Sequence, residues 1–136
     1  MEFFKCSVLL LAGGALYCAV ELLWRRRTHI SMFFVGGLCF VLVGLLDELA
    51  PRLPFAMQLM LGAAVITGLE LVSGLIVNRL LKLSVWDYSG IRDNFLGQIC
   101  LPFFSAWLAL AALAVPADNL LRLLLFSEPW PPVRLF

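Results

Sequence analysis

Four apolar stretches cut by short polar breaks set the pattern of this chain: Phe3 to Trp24, Ile30 to Leu49, Phe55 to Leu81 and Ile99 to Val115. A helix rising about 1.5 Å per residue needs roughly 20 residues to cross a hydrocarbon core of about 30 Å. The first three stretches meet that length, and the fourth suits a thin or locally adapted bilayer. The breaks explain themselves. Arg25-Arg26-Arg27-Thr28-His29 is a charged turn, and Pro51 and Pro54 stop the second helix. Pro116 is expected to end the fourth, because proline lacks the N–H and clashes with the preceding turn. Beyond it, Asp118 to Phe126 is too short to span; with Asp118 as N-cap it predicts a helix lying in the interface, followed by an extended proline-rich tail. The expected fold is therefore all-α: a polytopic membrane bundle of about four transmembrane helices over residues 1–116, with an interfacial C-terminal helix and tail over 117–136.

Composition agrees with lipid as the solvent. Of 136 residues, 62% are hydrophobic and 14% charged, against roughly a quarter charged in soluble domains. The net charge of +1 offers no field to attract nucleic acid. In the first stretch the positive cluster follows the apolar run, and no small-residue cleavage site closes it, so it reads as a retained helix and not a signal peptide. Lys and Arg placement sets orientation. Arg25, Arg26, Arg27, Arg79, Lys82 and Arg92 fall on one side, and Lys5, Arg52, Arg122 and Arg134 on the other. The Arg triplet in so short a loop predicts both termini outside and the 25–29 and Trp86 loops cytoplasmic, with a bacterial plasma membrane as the expected location.

Against this apolar background the polar positions stand out. Glu70 lies near mid-membrane, where a carboxylate costs a few kcal/mol even on lenient scales. It must face the bundle interior, pair with a cation or carry a proton. Thr67, Glu70, Gly74 and Asn78 share one helix face, as do Gly14, Tyr17, Glu21 and Arg25. Glu21 and Glu70, with Thr67, Asn78 and Tyr17, are candidates for a common polar cavity; the plainer alternative is hydrogen-bonded glue between helices. Gly36, Gly37, Phe40 and Gly44 mark a packing face, because small residues let helices approach. Asp47 and Glu48 end the second helix near the outer surface and read as solvated; because acids oppose the macrodipole at a helix C-terminus, a cation site is the lesser alternative there.

Arg25, Arg26, Arg27 and His29 could contact an anionic lipid headgroup, although positive-inside topology alone accounts for them. In the loop before the fourth stretch, Trp86, Asp87, Tyr88, Asn94 and Gln98 suggest an interfacial segment or a short re-entrant hairpin, either a structural plug or a partner site. The four cysteines form no CxxC pair and read as apolar packing residues. No GxxxxGK[ST], HExxH or GxSxG occurs, so no residue is assigned to catalysis, and no metal or cofactor is expected.

On these residues the chain resembles a known family. Gly13-Gly14-Ala15-Leu16-Tyr17 with Glu21 and Arg25, Thr28-His29-Ile30-Ser31-Met32, Gly36-Gly37-Leu38-Cys39-Phe40, Thr67-Gly68-Leu69-Glu70, Val85-Trp86-Asp87-Tyr88-Ser89 and Asn94-Phe95-Leu96-Gly97-Gln98-Ile99-Cys100 are similar to the CmpB-like family of type IV ABC-transporter membrane proteins. The resemblance covers roughly residues 13 to 107. It implies a transport role and places Glu21, Glu70, Asp87, Asn94 and Gln98 in one core. The leading expectation is a permease component, homo-oligomeric because four helices make a thin wall, with any ATPase on a separate subunit. The alternatives are a structural or accessory membrane protein and, third, a lipid-acting membrane enzyme.

Overall fold

The computed structural model describes residues 1–132, 134 and 135; the Asp47 side chain, read above as solvated with a cation site as the lesser alternative, lies outside the described residues. Among them are four helices: α1 (Glu2–Arg25), α2 (Ile30–Leu49), α3 (Phe55–Gly74) and α4 (Leu101–Phe126). α1, α4 and the stretch Phe55–Leu80 are long and apolar enough to cross a membrane, and α2 carries a shorter apolar stretch, Ile30–Leu46. Local chemistry sets the boundaries. α1 ends on Arg26 in the left-handed region (φ 58°). α2 starts where His29 Nδ1 accepts the Ser31 N–H at 3.1 Å. α3 passes into a π-helical turn, Leu75–Leu80, closed by Leu81 N–H donating to the Ile76 carbonyl at 2.9 Å.

α2 is the central helix and packs on α1, α3 and α4, whereas α1 and α4 barely touch. Glycine governs the tightest contact. A Cβ on Gly36 would stand 2.6 Å from Tyr17 Cβ, and one on Gly14 would stand 2.5 Å from the Phe33 carbonyl oxygen. The α1–α2 backbones approach this closely only because both faces lack side chains. The core runs through Cys39 and Val43 of α2, Ala63 and Ile66 of α3, and Trp107, Ala111 and Val115 of α4. Outside it, Phe3, Leu23, Leu49 and Leu113 are exposed, a surface suited to lipid.

The sequence expectation of a break at Pro116 needs correction. α4 continues through Pro116 to Phe126 as one helix, and Asp118 is no N-cap but a fully buried interior residue. The physical reason is tertiary. Ala117, Leu121 and Phe126 pack on a cluster of Leu9, Phe40 and Val41, which holds the distal half in helical register despite the lost N–H. The segment before α4 is likewise no open loop. It folds as a short antiparallel ladder, β1 (Asn94–Phe95) with β2 (Ile99–Cys100), in register Asn94↔Cys100 and Phe95↔Ile99.

Candidate functional site

Glu70 projects from α3 into the bundle and is 6% exposed. Its two oxygens are held from different elements. Tyr88 Oη donates to Oε1 at 2.7 Å, and Trp107 Nε1 donates to Oε2 at 3.0 Å. Both donors are neutral, and among the described residues no cation forms an ion pair with Glu70. Tyr88 stacks on Phe103 with centroids 4.6 Å apart, and Trp107 lies 6.4 Å from the Tyr17 ring. Burial pushes the Tyr88 hydroxyl well above the usual phenol range, with the Glu70 charge adding to the effect, so it stays a donor.

Glu70 sits on a groove of about 290 Å³ between α1, α2 and α4. Tyr17, Phe40 and Trp107 line it, and Leu16, Leu23 and Leu113 stand exposed at its rim. Glu21 instead lines a separate cavity of about 180 Å³ at the end of the bundle, with Arg25, Arg27, Thr28, His29 and Val85. Arg25 Nη1 is 3.4 Å from Glu21, and Arg25 Nη2 donates to the Val85 carbonyl at 2.6 Å. Arg26 and Arg27 are exposed. The structure thus brings Tyr17 near both acids and Arg25 to Glu21, although Glu70 and Glu21 line different cavities. Thr67, a turn before Glu70, has a buried hydroxyl with no hydrogen-bond partner among the described residues.

Asn78 clamps the segment that follows it. Its Oδ1 accepts the Val85 N–H at 2.7 Å and the Trp86 N–H at 3.4 Å, and its Nδ2 donates to Gln98 Oε1 at 2.9 Å. Trp86 Nε1 donates to the Gln98 carbonyl at 3.0 Å. A Cβ on Gly74 would stand 2.5 Å from Gln98 Oε1, so glycine lets this clasp seat on the helix. Trp86, Tyr88 and Gln98 are buried, whereas Asp87 and Asn94 are exposed and shape the loop itself. Asp87 accepts the Ser89 N–H at 2.9 Å, and hydrogen bonds from Ser89 hold its carboxyl below the usual range. Asn94 donates to the Ile91 carbonyl at 2.8 Å and accepts the Gly97 N–H at 3.0 Å.

One cluster escaped the reading of single positions. At the opposite end Arg122, 6% exposed, donates to Asp118 Oδ2 at 2.8 Å and pairs with Glu48 and Glu128; Glu128 also pairs with Lys5. The Lys5 and Arg122 hydrogen bonds hold the Glu128 carboxyl below its ordinary range. Glu48, at the α2 C-terminus, pairs with the protein's own Arg122. The i,i+4 pair Asp118–Arg122 was a signal for this cluster, masked by the expected break at Pro116.

The family model described as "Putative ABC-transporter type IV" matches residues 2–125. No curated protein and no solved structure matches the chain.

Proposed function

The chain belongs to the family of type IV ABC-transporter membrane proteins, and on that premise we propose that it is the membrane-embedded permease component of a transport system, not an enzyme. The apolar helices and the family make it an integral membrane protein. The sequence holds no phosphate-binding loop, so nucleotide hydrolysis falls to a separate ATPase subunit. We assign the 81–100 segment the role of a plug on the cytoplasmic side, with both termini outside. The observation that carries this is the Tyr88–Glu70 hydrogen bond, which joins that segment to the floor of the groove. Release of that bond and of the Tyr88–Phe103 stack would detach the segment from the groove while the Asn78 and Arg25 bonds keep it tethered at Val85. A thin bundle with an open α1–α4 crevice also favours assembly of several copies around a pathway.

The test is reconstitution of the native complex, with the ATPase that co-purifies, in proteoliposomes. Tyr88→Phe should raise nucleotide-independent leak, and Glu70→Gln should uncouple flux from hydrolysis. Flux identical to wild type in both variants removes the plug from the mechanism.

A second reading has its own support. Both Glu70 oxygens already receive hydrogen bonds from the protein, as expected of a purely structural or accessory membrane protein. Under that reading the same variants change melting temperature or oligomer state, and no flux depends on the chain.

A further inference from the structure

The groove at Glu70 is defined by what it lacks. Among the described residues Glu70 is the only charged one on its walls, and Tyr17, Cys39 and Trp107 are the other side chains there able to hydrogen-bond. A sugar, amino acid or nucleotide would leave most of its polar atoms unpaired, at a cost of about 1–3 kcal/mol each. An anion would meet a carboxylate and no cation. Tyr88 and Trp107 orient the Glu70 carboxyl, but as neutral donors they bring no positive charge to it, so an ionised Glu70 is uncompensated. In a low-dielectric site an uncompensated anion attracts a counter-charge strongly. The tilted Tyr17 and Trp107 rings, 6.4 Å apart, and Phe40 supply aromatic faces for such a charge. The mouth lies between two apolar helices and is rimmed by exposed Leu16, Leu23 and Leu113, so access is from hydrocarbon and not from water.

We propose that this groove binds a lipophilic organic cation, an onium centre wrapped in apolar groups, which enters laterally between α1 and α4 and sets its charge against the Glu70 carboxylate and the neighbouring rings. At about 290 Å³ the groove suits a body of a few rings and not a whole phospholipid. This rests on the transport reading for its meaning, since it names the class of molecule moved, but the binding itself is a separate equilibrium.

The test uses two ions of nearly equal size and opposite charge. The purified full-length chain in detergent is dialysed against tetraphenylphosphonium or tetraphenylborate, with empty micelles as the blank. Saturable binding of the phosphonium and none of the borate is expected. Glu70→Gln should weaken phosphonium binding at least tenfold. Leu113→Trp, which narrows the mouth and leaves the hydrogen bonds to Glu70 in place, should also weaken it and serves if Glu70→Gln fails to fold. Equal binding of both ions overturns the proposal in favour of a groove for acyl chains. Absence of saturable phosphonium binding, or wild-type affinity in Leu113→Trp, also overturns it. Binding without flux in the reconstituted complex sinks the transport reading and leaves the cation site standing; flux without phosphonium binding does the reverse.

Discussion

At the end where α3 runs toward α4, the segment 81–100 is held to the helices mainly by neutral groups, Asn78, Gln98, the Trp86 indole and the Tyr88 hydroxyl, the last reaching a carboxylate, with the Arg25 guanidinium adding a bond to the Val85 carbonyl. At the opposite end Lys5, Glu48, Asp118, Arg122 and Glu128 draw α1, α2, α4 and the chain after α4 together through charge. Hydrogen bonds between neighbouring membrane helices average about 0.6 kcal/mol and reach about 1.7. Those between neutral groups can be broken singly without leaving a charge behind, and the Tyr88 bond can be broken while Trp107 still donates to Glu70. Removing one partner of a buried ion cluster strands the others, at about 3–5 kcal/mol. The neutral end is therefore the one able to open at modest cost, and the ionic end is the one that stays shut.

The sharpest way to break this contrast is Arg122→Ala. It leaves Asp118, which is fully buried, without its guanidinium, and should cost about 3–5 kcal/mol in detergent unfolding followed by circular dichroism. Arg122→Lys should restore only part, because an ammonium cannot reproduce the forked geometry. A loss below about 1 kcal/mol would mean the charges do not close that end.

Next in size is Asn78→Ala, which deletes three hydrogen bonds at a cost of about 2 kcal/mol. Amide exchange should quicken across 85–98 and stay unaltered across 118–128. Equal loosening at both ends would show that they are one cooperative unit. Tyr88→Phe keeps the stack on Phe103 and loses only the bond to Glu70, a change of about 1 kcal/mol. Its more telling readout is maleimide labelling of the buried Cys100, in the same cluster as Tyr88, which should accelerate if the segment lifts.

The smallest effect concerns pH. The folded state holds the Glu128 carboxyl below its ordinary range, so its contribution is present above the unfolded value of about 4.3 and fades as pH falls through the folded one. Glu128→Gln should lower the melting temperature slightly at pH 7, by less than the equivalent of about 1 kcal/mol. That difference should shrink as pH falls below the unfolded value and vanish once it is below the lowered folded one, since protonated Glu128 no longer attracts Lys5 and Arg122.

Much of the molecule was legible residue by residue. The inward direction of Glu70 followed from the cost of a carboxylate in hydrocarbon, and the close α1–α2 approach followed from its glycines. The segment around Trp86 was read as an interfacial stretch or a short hairpin, and it contains the ladder of Asn94–Phe95 with Ile99–Cys100. Asp87 and Asn94 were harder. A polar residue that shapes a loop and one that enters a core have the same chemistry, and only their position relative to α3 separates Asn94 from Gln98. Pro116 misled because the local rule is sound in isolation: the missing N–H is a real loss, outweighed here by packing of Leu121 and Phe126 that no local window contains.

The order of apolar segments along the chain was enough to determine a helical membrane protein, since hydrocarbon leaves backbone groups no partner but one another. What shares a space with what was decided in three dimensions. Glu21 and Glu70 follow a similar pattern on their helices, yet one meets Arg25 at the bundle's rim and the other meets Tyr88 and Trp107 in its interior. Helical periodicity fixes which residues share a face. Which neighbour that face meets depends on how the helices pack, and that is a property of the whole chain.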